Sequence, residues 1–556
     1  MWGWAIIIFI AAIVFQIRSL WRSAPETRDD NRPSLFDKSL ALWRSIAYRR
    51  VPGRLARYFS WPSLGVLILL VICTAALIAM SFAQHPYYRG KRAYGSPPLG
   101  VRTGLMAFAL IPLVIALGGK VNIVTALTGL GHEKLNVFHR YVGWMCLLLS
   151  VIHTIPFIIQ PRRAGGPAAL AAQYYKPGGL EYTGTPALGM VVGLSVLSVP
   201  PIRRAAYQLF IHTHILLAIV FLGLCFWHAS DLGDSWAYLW ATMVIWASSL
   251  VVRVLAKTSM FSTRSRHWLS QCEVSSAPLT DGMVRLDVVA PGRWSWEAGQ
   301  HFFLRFGAVR PLDNHPFTVA DVPRYTASND TEMVFYIRPQ GGLTARIGKI
   351  VDAKRMGDLR VTLDGPYGTV IRPKIAMRYE SVILVAGGGG ISAILPWLQE
   401  LVHDKTETTV LQTIKVIWVI RRANAISWVA SELQRLLENA APRSLEYDIW
   451  VTNDSAGEAA ETPLQSQDEK KTIGQVLSSA QSTGSGGPSI QPAHVGSRPR
   501  MQTLIPALVS ADRTLVIGCG PESLKVDLSN AVAVAQSRVS AGRAREIRLH
   551  TETFGW

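Results

Sequence analysis

Four histidines in the hydrophobic half of the chain are spaced for chemistry. His139 and His153 lie in NVFHRYVGWMCLLLSVIHTIPFII, His214 and His228 lie in QLFIHTHILLAIVFLGLCFWHAS, and each pair is fourteen residues apart. Fourteen residues is nearly four helical turns, so both members of a pair leave one helix face, about 21 Å apart along the axis. Two such helices running in the same direction would oppose His139 to His214 and His153 to His228. Each level would then offer two imidazoles to the iron of one planar macrocycle, and the two levels would hold two stacked six-coordinate haems. A lone intramembrane histidine is more often a hydrogen-bonded helix contact. One spacing recurring in two long apolar segments favours ligation instead. His212 lies about 200° round the helix from His214 and should face elsewhere.

The elements that must position these histidines are membrane spans. At 556 residues the chain has room for three domains, and although 49% of it is hydrophobic, the long apolar runs stop near residue 256. Seven segments approach the ~20 residues a bilayer requires: near 2–17, 62–83, 103–119, 136–159, 184–201, 207–230 and 236–256. The first has no basic residue before its apolar run and no small-residue cleavage site after it, so it reads as an uncleaved anchor. Alternate loops carry eighteen and seven Lys and Arg. The richer side should be cytosolic, which puts the N-terminus outside and the second half of the chain inside. The cluster RGKRAYGSPPLGVR in the first outer loop runs against this trend. The net charge of +19 is thus explained by topology and contact with membrane lipid, and no nucleic-acid motif occurs. Five scattered cysteines with no CxxC indicate neither a disulfide framework nor a zinc site.

Beyond the last span the pattern alternates. MVRLDVVAP, HFFLRFG, EMVFYIRP and LRVTLDG read as short strands of an antiparallel barrel over 268–370. ESVILVAGGGGISAILPWLQELV then reads as strand, glycine turn and helix, and KVIWVIRR, SLEYDIWVT and RTLVIGCGP as further buried strands, implying a parallel nucleotide-binding sheet over 379–556. Residues 453–500 are rich in Ser, Gly, Gln and Pro and read as an inserted loop with one short helix near 471–481.

This half carries its own candidates. His315, Pro316, Phe317 and Thr318 follow the strand that holds GQHFF. They offer an aromatic wall for an isoalloxazine and a hydroxyl for ribityl or phosphate oxygens; the same four residues would also serve as a proline-bearing strand edge. Arg338, Gly342 and Thr344, in RPQGGLT, place a cation, a glycine and a hydroxyl where a strand feeds a helix, a suitable cradle for a pyrophosphate. Gly387, Gly388, Gly389, Gly390, Ile391 and Ser392 close a strand and open a helix, so their backbone amides can approach phosphate oxygens. Arg421 and Arg422 end the next strand, where a cation can meet a ribose 2′-phosphate or simply be solvated.

Taken together, the two His pairs, HPFT, GGLT, DGPYG, AGGGGIS, CGP and the terminal ETFGW resemble the ferric reductase and NADPH oxidase superfamily, most closely its fungal ferric/cupric reductases. The resemblance runs from about residue 60 to the end, except for the insert. It implies a multidomain membrane protein: a span and basic loop over 1–60, a helical transmembrane bis-haem bundle over 61–257, an FAD-binding antiparallel β-barrel, and a ferredoxin reductase-like α/β NADP-binding domain. It implies two b-type haems on His139, His153, His214 and His228. FAD would lie on His315 to Thr318, Gly342 and Thr344. NADPH would lie on Gly387 to Ser392, Arg421, Gly520 and Pro521, with Cys519 near the nicotinamide and Trp556 covering the flavin.

Those carriers imply a route. NADPH gives two electrons as a hydride and haem iron takes one, so the flavin must divide the pair. Electrons would pass through the inner haem (His139 and His214) and the outer haem (His153 and His228) to ferric or cupric chelates outside. The implied location is the plasma membrane, or a vacuolar or other endomembrane, with an iron-uptake permease or oxidase as neighbour. Two other classes fit the same spans: a superoxide-generating NADPH oxidase, and a multi-span transporter with a nucleotide-binding regulatory tail.

Overall fold

The computed structural model describes residues 10, 13, 14, 33–89, 95–258, 271–353, 359–369, 375–404, 406, 409–453 and 490–553. The chain divides into two compact units, Met1–Arg18 with Arg54–Leu255, and Ser19–Gly53 with Ala256–Trp556. Helix α1 (Leu35–Ala47) therefore belongs with the second unit, although the sequence places it in a basic loop after the first span. Among the described residues, six helices are long and apolar enough to cross a membrane: α2 (Leu64–Phe82), α3 (Pro98–Gly118), α4 (His132–Tyr174), α5 (Leu180–Leu197), α6 (Tyr207–Ala229) and α7 (Ser235–Val252). These match six of the seven expected spans; the one near 2–17 lies almost wholly outside the described residues.

Small residues set the packing of this bundle. Helix α3 starts at Pro98, where a missing N–H costs nothing, and turns Gly100 and Gly104 toward α4. A Cβ at Gly100 would fall 2.6 Å from the Phe157 ring, so only glycine lets the two helices approach this closely. Helix α4 outruns its expected span because it is two helices in one: Gly165 and Gly166 leave helical geometry, Gly166 at φ +68°.

In the second unit the expected barrel is a seven-stranded antiparallel sheet. Its strands are β1 (Cys272–Pro278), β2 (Val284–Ala290), β3 (His301–Arg305), β4 (His315–Thr318), β5 (Arg324–Tyr325), β6 (Thr331–Ile337) and β7 (Arg360–Tyr367), in the order β4-β3-β7-β1-β2-β6-β5. Val284, Leu286, Val288 and Ala290 of β2 are buried in alternation, the period of a strand with one face on a core. Helix α8 (Gly342–Asp352) follows β6 and lays Leu343, Ile347 and Val351 on that core.

The nucleotide-binding half is a parallel sheet ordered β11-β10-β9-β8-β12-β13. It is built from β8 (Ser381–Gly387), α9 (Ile391–His403), β9 (Thr413–Ile420), α10 (Ala430–Glu438), β10 (Ser444–Val451), β11 (His494–Val495), α11 (Met501–Leu508), β12 (Arg513–Gly520), α12 (Glu522–Ala535) and β13 (Glu546–Thr553). Strand β8 is buried along its whole length, as a central parallel strand covered on both faces must be. From β8 the chain winds to β9 and β10 on one side, then returns to β12 and β13 on the other. The crevice at the carboxyl ends of β8 and β12 is therefore a topological switch point, where ligands of such sheets bind.

The insert is shorter than its composition suggests. His494 and Val495 pair in parallel with Trp450 and Val451, and the His494 ring stacks on Trp450 at 3.7 Å. The expected helix near 471–481 lies outside the described residues.

Candidate functional site

The four histidines pair as their spacing requires. His139 faces His214 with ring centroids 6.3 Å apart, and His153 faces His228 at 6.0 Å. Each Nδ1 has a partner on a neighbouring helix or its cap: the carbonyl of Val114 for His139 (2.9 Å), that of Gly100 for His153 (2.7 Å), the Ser198 hydroxyl for His214 (3.4 Å) and the Thr183 hydroxyl for His228 (3.2 Å). Binding a ring through Nδ1 fixes its orientation and leaves Nε2 as the ligating nitrogen. Metal–imidazole bonds of about 2 Å on both sides, plus about 1 Å from each ring centre to its nitrogen, need centroids about 6 Å apart. Both pairs meet this test. His212 is exposed.

Glycines make the room. A Cβ at Gly104 would fall 2.5 Å from His153 Nδ1, one at Gly118 2.8 Å from His139 Nδ1, and one at Gly184 2.8 Å from the His228 ring. Gly104, Phe108, His153, Gly184, Phe221 and His228 line a largely apolar cavity of ≈ 330 Å³, within the range of ligand pockets. Sequence reasoning missed these glycines, yet Gly104 and Gly118 repeat the fourteen-residue spacing of the histidines.

In the barrel, the two faces of β3 and β4 separate the residues expected at a flavin. His315 to Thr318 form β4 beside β3, but Phe317 packs against the barrel core. The opposite face carries the aromatics: His301 pairs with Thr318 and Tyr367, and Phe303 with Pro316. The His301 and Phe303 rings lie 5.6 Å apart and those of Phe303 and Tyr367 5.7 Å apart. Tyr367 donates its hydroxyl to Asp364 Oδ1 at 2.5 Å, and Lys257 Nζ stands 5.8 Å from the Tyr367 ring. Alternation along HFF carries this signal, since every second residue shares a face.

At the start of α8 the cradle is formed by backbone. Gly342 takes φ +54°, a conformation that suits glycine. Thr344 Oγ1 accepts from the backbone N–H groups of Gln340 (3.2 Å) and Gly341 (3.4 Å), so the hydroxyl caps the helix and shapes the turn. Arg338 is exposed beside it.

At the switch point two turns interlock. A Cβ at Gly390 would fall 2.3 Å from the Cys519 carbonyl oxygen, and one at Gly387 2.8 Å from Pro521 Cδ. The Gly387–Gly390 and Cys519–Pro521 turns can therefore meet only through glycine. Gly388 and Gly389 are half-buried, whereas Ile391 and Ser392 are buried, and Ser392 Oγ donates to the Gly389 carbonyl at 3.0 Å. Burial, and then the Glu552 carboxylate, push the Cys519 thiol well above its ordinary range, so it stays a neutral contact. Glu552 is in register with Cys519 and lies 2.6 Å from His550, a buried pair that sequence reasoning passed over. Of the two arginines after β9, Arg422 pairs with Asp281 at 3.0 Å and Arg421 is exposed. Trp556 lies outside the described residues.

Comparison with known proteins follows this division. Residues 103–225 match the ferric reductase like transmembrane component, 269–371 an FAD-binding domain and 379–533 the ferric reductase NAD binding domain. Ferric/cupric reductase transmembrane component 7 of Saccharomyces cerevisiae, in two strains, is 29% and 30% identical over 591 residues, covering 99% of this chain and 92% of the relative.

The chain belongs to the ferric/cupric reductase family. A probable cell surface ferric reductase of Aspergillus oryzae, kap2, is 32% identical over 430 residues, covering 75% of this chain and 56% of that relative's length. In this ferric/cupric reductase family member the transmembrane match contains His139, His153 and His214 and stops three residues short of His228. The NAD-binding match ends within α12, so the His550–Glu552 pair lies beyond it. The protein is an integral membrane member of an oxidoreductase family with FAD- and NAD-binding domains.

Proposed function

We propose that the chain oxidises cytosolic NADPH and reduces ferric, and also cupric, chelates on the far side of the membrane. The observation that carries this reading is the pair of facing histidine couples, 6.3 and 6.0 Å apart with every Nδ1 already bonded. His139 with His214 and His153 with His228 would each hold one b-type haem. His301, Phe303, Thr318 and the α8 turn would hold FAD, and the two interlocked glycine turns with Arg421 would hold NADPH. FAD when bound accepts a hydride and passes electrons on singly, and haem iron carries them one at a time.

The residues do the positioning. The β8 and β12 turns bring the cofactor's phosphates to backbone N–H groups and a helix N-terminus. Buried Cys519 and Glu552 shape the wall at the carboxyl end of the sheet, and aromatic rings on β3 and β7 keep water from the flavin face. In the bundle, apolar lining excludes water between the His levels. The balance is NADPH plus two Fe(III) giving NADP⁺, H⁺ and two Fe(II). With an inside-negative potential of ~100 mV, each electron moved outward gains about 2.3 kcal/mol.

The test is an acceptor assay on intact cells overexpressing the chain, using an impermeant ferric chelate with and without superoxide dismutase. Reduction insensitive to the dismutase is expected. Reduction abolished by it, with matching oxygen uptake, would make the chain an oxidase.

A further inference from the structure

Helix α1 has two faces that ask for different surroundings. Ser34 caps it, accepting from Asp37 N at 3.1 Å while Asp37 reaches back to Ser34 N at 3.0 Å. On one side Ala41 joins the core that contains Ala535, Val539 and Ile547. Arg44, buried, meets Glu546 Oε1 at 3.0 Å and the Ile547 carbonyl at 3.4 Å, and Arg378 holds the other Glu546 oxygen at 2.7 Å. The following segment is also fastened: Arg50 N donates to Asn530 Oδ1 at 2.9 Å, and the Arg50 guanidinium lies 3.4 Å from Glu522. Buried, paired charges of this kind hold an element in one register.

The other side is largely apolar and stays exposed among the described residues. Leu35, Phe36, Leu42, Trp43 and Ile46 are between 43% and 85% exposed. At 100° per residue they occupy about 120° of the helix, centred about 140° from Arg44. A soluble domain that had this helix only as an extra layer would turn polar residues outward. Instead the outward stripe holds Leu, Phe, Trp and Ile around a single polar residue, Ser39, with exposed Lys38 and Arg49 at its margins. That composition is the one that lies at the boundary of lipid headgroups and acyl chains. The chain is continuous with the bundle nearby: sixteen residues separate Ala47 from Leu64, the first residue of a candidate membrane span.

We infer that α1 is an interfacial bracket: its Arg44 face is clamped to the nucleotide-binding domain, and its Leu35/Leu42/Ile46 stripe lies in the headgroup layer of a phospholipid leaflet. The Arg44–Glu546–Arg378 cluster explains how a helix can be fixed to a soluble domain while presenting its most apolar side outward.

The test places p-benzoylphenylalanine at Leu42, Trp43 or Ser45 in the full chain, reconstituted in nanodiscs containing phosphatidylcholine and phosphatidylserine. Ser45 sits about 120° round the helix from the stripe's centre. Variants that elute from gel filtration as the wild type are irradiated, and adducts are identified by mass spectrometry. Phospholipid adducts at Leu42 and Trp43, at least about tenfold above those at Ser45, are expected for a helix lying with one side in the leaflet. Crosslinks from Leu42 and Trp43 to other segments of the chain or to a second copy would overturn the inference. So would lipid adducts no more frequent than at Ser45.

Discussion

His139 and His214 face each other at 6.3 Å between ring centroids, each turned by a bond at Nδ1 to a different kind of partner, a helix carbonyl and a serine hydroxyl. This level thus depends on α3 through Val114, on the end of α5 through Ser198, and on the two histidine helices themselves. Substitutions that disturb any of these should register at the histidines.

The glycines opposite the rings give the sharpest such test. Ala at Gly104 or Gly118 puts a methyl 2.5 or 2.8 Å from an imidazole nitrogen, and overpacking of this kind costs about 1–3 kcal/mol. Gly143, on α4, meets nothing within 4 Å. Gly143→Ala should raise the melting temperature of the solubilised protein slightly, whereas Gly104→Ala and Gly118→Ala lower it. Equal effects at all three positions would show that the glycines do not make room for the rings.

Much of this was legible in the sequence, and the limits were physical. Spacing of fourteen sufficed to pair His139 with His214 and His153 with His228, because a helix fixes which residues share a face. The family, the six described spans, the barrel and the parallel sheet followed from hydropathy, alternation and motif. Which face Phe317 takes depends on the register of β4 with β3, which HPFT alone does not reveal; it packs on the barrel core opposite Phe302. Thr344 caps a helix, a role that is invisible without the turn. Helix α1 sits in a segment whose basic residues mark topology, but its partner Glu546 lies 502 positions away in the chain.

The proposed preference for NADPH can be tested at two adjacent arginines. Arg421 is exposed at the sheet's carboxyl edge and Arg422 is held by Asp281. Arg421→Ala should raise KM for NADPH by about ten- to a hundredfold, the loss of a charged, paired hydrogen bond to phosphate, and leave KM for NADH little changed. Arg422→Ala should change neither by more than about threefold if its partner is Asp281. An equal rise for both nucleotides in Arg421→Ala would assign the 2′-phosphate elsewhere.

Stability should depend on pH through Asp321. Its carboxyl is buried in the barrel, accepts from Val334 N at 3.3 Å, and is pushed up to about 7 chiefly by burial. The folded state therefore binds a proton more tightly than the unfolded chain does. This contribution is fully present below pH ~4, falls as pH rises, and is lost above pH ~7, with a span of up to about 4 kcal/mol. Melting temperatures measured from pH 5 to 8 should decline in the wild type, and Asp321→Asn should flatten the decline. An unchanged slope in the variant would place the titrating group elsewhere.

The insert can be trimmed only so far. Replacing residues 454–489 with a short Gly/Ser bridge should preserve NADPH-dependent flavin reduction, because both sheet ends remain. Extending the deletion through 500 removes β11 and the His494 stack on Trp450, and should lower the melting temperature. Loss of flavin reduction in the shorter, FAD-loaded deletion would show that the segment builds the site.

The most direct test of the account is the haem content of purified protein, read by reduced-minus-oxidised spectra and iron stoichiometry. Wild type should carry two six-coordinate haems. His139→Leu or His214→Leu should each remove the same one, His153→Leu or His228→Leu the other, and His212→Leu neither. A full complement of two haems in any one of the four ligand variants would contradict the pairing and the electron path built on it.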